Sequence, residues 1–379
     1  MSTSQPREVQ QLAMNFVIMH AVHTALAEEV QEFLQPGGGH LFMLGGRGVM
    51  LDEEQLHWRG LIEDKLATGV YRMIHRPCLC GAAQDELIAV RDMFGFHFRT
   101  VICRHCGLVR ADPYFDDASL QQFYALDFDH LYRCEAKDNP QDFFRMMVER
   151  RHPGVFAVLA RHVPSLPGKT VYEIGCGGGW CLWPFHQAGC RVWGADYDEA
   201  LVAYGRSLGM ELEHGGAELL AGREPADIII LSHVLEHVPD PLGFLGRIRP
   251  ALRENGVLLV EVPTLESVAG GESDGNLFRY FQIAHVFDFS GNTLCYTLER
   301  AGFACQRLKP GRVLAGIAPR VRARDEIYEG EYEQTLQTLR KTDADYLKKY
   351  RSGARVNPVF VRRTPARQGG GRSYAANAD

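Results

Sequence analysis

The stretch Val171-Tyr172-Glu173-Ile174-Gly175-Cys176-Gly177-Gly178-Gly179-Trp180 holds the residue types of a ligand-binding turn. An apolar run ends in Glu-x-Gly-x-Gly-x-Gly and a helical pattern follows. Gly175, Gly177 and Gly179 allow a tight turn whose backbone N–H groups can approach a ligand. A dinucleotide turn spaces its glycines Gly-x-Gly-x-x-Gly. Here Trp180 takes the third place, which counts against a nicotinamide cofactor. Glu173 points instead to a ligand with an amino group. A second apolar run ends in Val192-Trp193-Gly194-Ala195-Asp196, about 20 residues after the turn, where an acidic side chain accepts from ribose hydroxyls. The bland alternatives are an ordinary glycine turn and a solvated aspartate.

A second constellation is made of cysteines. Cys78-Leu79-Cys80-Gly81 and Cys103-Arg104-His105-Cys106-Gly107 form two knuckle-like pairs. Four thiolates suit a tetrahedral structural Zn2+ with no open position, which argues against a catalytic metal there. The first pair has one intervening residue where two are usual, so His75 is a possible replacement ligand. Four unrelated thiols are the alternative. Ten cysteines in 379 residues are too few for a disulfide scaffold and fit a reducing, cytoplasmic setting.

These residues need elements to hold them. From residue 170, short apolar runs at 170–174, 191–195, 227–231, 256–262 and 303–308 alternate with helical patterns, which predicts an α/β fold with a parallel sheet. Before that, amphipathic spacing predicts a helix over 8–34, stopped by Pro36 and Gly37–Gly39. Further helices are expected over 117–126 and 141–162, and little regular periodicity over 73–110. A charged helix is expected over 325–351, and a disordered tail over 364–379. The division expected is a helical segment 1–72, a zinc-binding module 73–135, a catalytic domain 140–363 and the tail. With 46% hydrophobic and 23% charged residues, the chain has enough apolar content for a full core. No run of about 18 apolar residues suggests a membrane span. Arg7 and Glu8 precede any apolar stretch, so no secretory signal is expected. A pI near 6.2 argues against a general nucleic-acid binder, and no nucleic-acid partner is expected.

The ordered set is more specific than any one motif. The glycine turn, the Asp196-ended run, Ser232-His233-Val234-Leu235-Glu236-His237-Val238, the Glu261-Val262-Pro263 ending and the segment 285–303 resemble a class I S-adenosylmethionine (SAM) dependent methyltransferase over about 140–320. The resemblance implies a Rossmann-like sheet and SAM as cofactor. Gly175, Gly177 and Gly179 would pack under its methionine portion, and Glu173 would organise its amino group. Asp196 would accept from its ribose, while Ser232 and His233 would line it beside the methyl donor. Many relatives carry an Asp for the adenine after the next strand; His214-Gly215-Gly216-Ala217-Glu218 has none, leaving Glu218 or backbone groups. The cysteine segment resembles a zinc-binding module that precedes this domain in bacterial enzymes acting on sugars, glycans or small metabolites. In those enzymes Tyr124 and Tyr132 would lie near the substrate entrance.

Methyl transfer to a hydroxyl or carbon requires loss of a proton, and an imidazole suits that task near neutrality. His285 is the leading candidate base, with His233 beside it. The resembling sugar C-methyltransferases often carry Glu-His at the place of Ala284-His285, so the usual acidic neighbour is missing. His237 and Glu236 are expected to fix their loop. The function expected is SAM-dependent methyl transfer to a sugar, glycan-like or other small molecule, with oligomeric state open. The rivals are a non-catalytic protein of this fold and an NAD-dependent oxidoreductase.

Overall fold

The structure, a computed structural model, describes residues 51–132 and 139–351. The helix expected over 8–34 and the tail over 364–379 lie outside them. No described helix is long and apolar enough to cross a membrane.

A seven-stranded sheet forms the centre, in the order β12-β13-β10-β9-β6-β7-β8. Its strands are β6 (Thr170–Ile174), β7 (Arg191–Asp196), β8 (Glu211–His214), β9 (Ala226–Ser232), β10 (Leu252–Glu261), β12 (Phe303–Lys309) and β13 (Arg312–Ile317). β8, β7, β6, β9 and β10 run parallel, and β13 is antiparallel to both its neighbours. The middle strands are mostly apolar because both faces are covered: Val171, Ile228 and Ile230 point into one core, Ile229, Leu231 and Leu258 into the other. This is a Rossmann-like sheet: the alternating pattern predicted its parallel α/β part, and the Rossmann-like form is the one the resemblance implied. Around it lie α5 (Trp183–Gln187), α6 (Glu199–Ser207), α7 (Pro241–Ile248) and α9 (Gly291–Arg300). Preceding it is α4 (Pro140–His162), started by Pro140 and by the Asn139 side chain accepting from Asp142 N.

Two strands escape the sequence pattern. β8 buries only Leu212 among polar neighbours at the sheet edge. β13 follows β12 after Pro310-Gly311 and merges with it in the sequence. The run expected over 256–262 reaches back to Leu252 across an irregularity and ends at Glu261.

The segment 73–110 is a correction. It contains β2 (Asp85–Arg91) and β3 (His97–Cys103), which with β4 (Val109–Ala111) and β11 (Phe287–Asp288) build a sheet in the order β11-β4-β3-β2. Its residues do not alternate in polarity because both faces are packed. Phe98 and Cys103 meet one core; Ile88, Ile102 and Val109 meet another, which includes Leu336 and Leu339. Those leucines belong to α10 (Glu331–Arg351), which starts six residues later than the expected 325–351 helix because 325–330 are turn and irregular chain. Before the module stands α1 (Glu53–Ala67), capped by Asp52. After the short strand β5 (Tyr114–Phe115) come α2 (Asp117–Leu126), matching the expected span, and α3 (Phe128–Tyr132).

The cysteine-bearing sheet is thus completed by a strand from beyond residue 280. Asp92 reinforces that joint. Fully buried, its carboxylate accepts from Phe94 N and Phe96 N at 2.9 Å each and from Ile283 N at 3.0 Å. Asp92→Ala would leave three buried N–H donors unsatisfied, at about 1–3 kcal/mol each, so a loss of at least about 3 kcal/mol of stability is expected. Urea unfolding checks this; a change under about 1 kcal/mol would exclude the role.

Candidate functional site

The glycine turn sits at the C-terminal ends of the parallel strands, where open α/β sheets bind ligands. Gly175 N and Cys176 N donate to Ala195 O at 2.8 and 3.2 Å, holding the turn against β7. Gly177 has φ +53°, and a Cβ there would fall 1.9 Å from the Trp180 ring. Trp180, which replaces the third dinucleotide glycine, is buried beneath the turn and packs edge-on against Phe143. Gly179 has φ +82°, and Glu173 is buried at the end of β6.

Asp196 ends β7 with its carboxylate against the turn. Oδ2 accepts from Gly177 N at 2.6 Å and Oδ1 from Asp198 N at 2.9 Å. Each oxygen has a second lone-pair direction left, which a pair of hydroxyls could use. Sequence reasoning passed over Tyr197, a largely exposed ring directly after Asp196 whose hydroxyl donates to Glu218. An exposed aromatic beside a ribose-type carboxylate was the available signal. Glu218 also accepts from Gly216 N at 2.6 Å, so its carboxylate is already engaged by its own loop.

Past Ser232, at the end of β9, His233 adopts φ +57°, a conformation uncommon outside glycine, with its N–H donating to Glu261 O at 2.7 Å. The next residue, Val234, packs on Gly175: a Cβ added at Gly175 would meet Val234 Cγ2 at 2.5 Å. The 233–237 turn therefore leads from the glycine turn to a second group of side chains, made of Glu236, His237, His285 and Asp288.

Glu236 is buried, with His233 Nδ1 at 3.5 Å and His237 Nε2 at 3.8 Å from its Oε1. Burial pushes its carboxyl up, but the imidazoles of His233, His237 and His285 outweigh burial and hold it well below the usual range, at about 2. His237 is pushed down to about 4 by burial, with Glu236 opposing. His237 Nδ1–H donates to Ala284 O at 2.9 Å, and the Tyr124 hydroxyl lies 3.0 Å from the same nitrogen. Glu236 O accepts from Val286 N at 2.8 Å, which ties the turn to the segment leading into β11. His285 Nδ1 faces Asp288 Oδ1 at 3.5 Å, and burial raises the Asp288 carboxyl while His285 draws it down. The acidic neighbour missing at Ala284 is thus supplied by Asp288 and Glu236. Neither was singled out as an acid for His285, although His285-x-x-Asp288 was visible as a spacing.

Tyr132 is not at an open entrance: its ring stacks on Phe128 at 4.6 Å and meets Phe94 edge-on at 4.9 Å. Tyr124 is the tyrosine that reaches the histidines.

The four cysteines do converge. Cys78 and Cys106 sulfurs are 3.4 Å apart, Cys80 and Cys103 3.6 Å, and all four lie within 4.8 Å of one another, buried. A tetrahedral zinc with bonds of about 2.3 Å needs sulfurs about 3.8 Å apart, so the set fits the ion. Gly81 and Gly107, both at positive φ, close the two knuckles, with Gly81 N donating to Cys78 O and Gly107 N to Cys103 O. His75 is turned to Asp112 at 3.1 Å and is not part of the group.

Residues 147–308 match the family described as "Methyltransferase domain". The chain is similar to a probable S-adenosylmethionine-dependent methyltransferase of Mycolicibacterium smegmatis, 33% identical over 41% of this chain and 58% of that one. It is also similar to a tRNA U34 carboxymethyltransferase of Idiomarina loihiensis, 28% identical over 44% of this chain and 56% of that one. Among solved structures, magnesium protoporphyrin IX methyltransferase from Synechocystis with bound S-adenosylhomocysteine aligns at 19% identity and TM-score 0.40, covering 54% of this chain and 100% of that one. The chain spans little more than half the length of the two relatives it matches here. The match and the strand order agree as far as the fold: residues 147–308 match a methyltransferase-domain family, and the sheet that holds them has the Rossmann-like class I methyltransferase architecture.

Proposed function

We propose that this protein methylates a hydroxyl of a small molecule, of the sugar or glycan-like kind, with SAM as donor and a structural Zn2+ in the Cys78, Cys80, Cys103, Cys106 module. The observation that carries this reading is the continuity of the turn at Gly175, through Val234, into the buried histidine–carboxylate group. SAM, when bound, supplies a methyl carbon on a sulfonium, a good leaving group for in-line displacement. The protein's part is alignment, which is worth about 7–11 kcal/mol, and disposal of the acceptor's proton. Gly175, Gly177 and Gly179 offer backbone to the methionine end, Glu173 orients its amino group, and Ser232 and His233 line the methyl side. Asp196 holds the ribose, with Tyr197 and the Glu218 loop at the adenine. His285, fixed by Asp288, and His233, on the rim with about a quarter of its side chain exposed, are the proton acceptors at hand.

Calorimetry with SAM tests the cofactor assignment. Asp196→Ala removes a charged acceptor, worth about 1.5–3 kcal/mol per hydrogen bond, so affinity should fall about 10- to 150-fold, and less with Asp196→Asn. Unchanged affinity in a folded variant would refute the role of Asp196. Labelled SAM incubated with small-molecule and RNA fractions of a cell extract tests the acceptor class; label confined to RNA would overturn the small-molecule reading.

A further inference from the structure

The buried group beyond Val234 has the composition and orientation of a second metal centre. One oxygen of Glu236 and one nitrogen each of His237 and His285 lie within 4.8 Å of one another. Two imidazoles and one carboxylate are a recurrent ligand set for divalent transition metals that leaves coordination positions open. The hydrogen bonds around the set agree. His237 gives its Nδ1–H to the Ala284 carbonyl, which can only accept, so the lone pair of the neutral ring is at Nε2, on the Glu236 side. His285 turns Nδ1 toward Asp288, the carboxylate–histidine arrangement that orients metal ligands. Meanwhile Glu236, 1% exposed, makes no hydrogen bond through either carboxylate oxygen among the described residues. Buried ionisable atoms without hydrogen bonds are costly unless a charge compensates them.

We propose that Glu236, His237 and His285 bind a divalent cation, positioned by Asp288, that takes an oxygen of the acceptor as an open ligand. The identity of the acceptor as an oxygen nucleophile rests on the function proposed above; the metal site itself does not. A bound cation lowers the pKa of a hydroxyl it holds. His233, beside Glu236 but outside the three ligands, is left to receive the proton. This centre differs in kind from the cysteine group: its nitrogen and oxygen ligands suit divalent transition metals in general, for which Mn2+ serves as a spectroscopic probe, whereas the thiolate set is selective for softer ions such as zinc.

The test is a Mn2+ titration of the full chain with its cysteine zinc in place, following the loss of the free-ion resonance by electron paramagnetic resonance, with SAM affinity measured by calorimetry on the same samples. One Mn2+ per chain is expected. Glu236→Gln and His237→Gln should abolish it, each with circular dichroism to confirm folding, and Asp288→Asn should weaken it about 10- to 100-fold. Wild-type protein that binds SAM but no Mn2+ overturns the metal site alone. Mn2+ bound with the same affinity in folded Glu236→Gln overturns its ligands. Mn2+ bound at these residues without any SAM affinity supports the site and counts instead against the methyltransferase reading.

Discussion

Serine at Cys103 should empty the cysteine centre of zinc and loosen the sheet β2–β3–β4. Structural zinc in thiolate sites contributes about 10–16 kcal/mol, comparable with or larger than the whole stability of an ordinary domain. The knuckles at Cys78–Gly81 and Cys103–Gly107 have little else to close them, since their regular structure is two turns ending in left-handed glycines. The effect should also travel. A Cβ on Gly107 would lie 2.8 Å from the Glu331 backbone, so the start of α10 rests on the second knuckle. β4 pairs with β11 through Arg110 and Phe287, and β11 carries Asp288. Cys103→Ser should therefore raise hydrogen exchange over 85–111 and also over 286–288, with zinc content falling from about one per chain toward none. A control at Cys305, far from the knuckles in sequence and half-buried, should change neither. Zinc-free protein with native exchange in both regions would show that the four thiols are merely buried neighbours.

That coupling explains why the fold was only partly legible. The methyltransferase sheet declares itself because its central strands are buried on both faces and their runs, such as Asp227-Ile228-Ile229-Ile230-Leu231, carry no ambiguity. The convergence of the cysteines was legible because four thiols in two turns suit one tetrahedral ion, and the shortened Cys78-x-Cys80 pair still meets Cys103 and Cys106 where Gly81 turns the chain back. What could not be read is what depends on long-range pairing. β2 and β3 look aperiodic because their second face is covered by α10, some 230 residues later. β11 is two residues long and exists only because β4 lies beside it.

The same limit applies to the site. Gly175, Gly177, Asp196 and His233 are local signals, each at a strand end, and the structure assembles them around one turn. The acid for His285 is different in kind. A search for the adjacent Glu-His pair stops at Ala284, yet the fold brings Glu236 from the turn after β9 and Asp288 from β11. Asp92, which ties Ile283 to the β2–β3 hairpin, carries no motif at all; only three backbone donors converging on one carboxylate reveal it.

Alanine at His285 should then produce the largest catalytic loss of any single change, about 10²- to 10⁴-fold in methyl transfer, or about 3–5 kcal/mol of barrier. SAM affinity should stay near the wild-type value, because the cofactor contacts proposed lie on the glycine turn and at Asp196 and not on His285. A packing histidine would behave differently. His285 is almost fully buried, so its removal costs stability in either case, and turnover must be compared per folded molecule. The two chemical roles separate by the behaviour of Asp288→Asn. If His285 takes the proton unaided, the weakened partner lowers turnover by an amount that added metal does not alter. If His285 holds a cation, the loss follows metal occupancy, and turnover recovers as Mn2+ is raised past the weakened affinity. His233→Gln completes the comparison: it should lower turnover while leaving Mn2+ binding intact, since His233 lies outside the ligand set. Near-normal turnover in folded His285→Ala would remove His285 from the chemistry under both readings and leave His233 as the remaining imidazole beside the methyl donor.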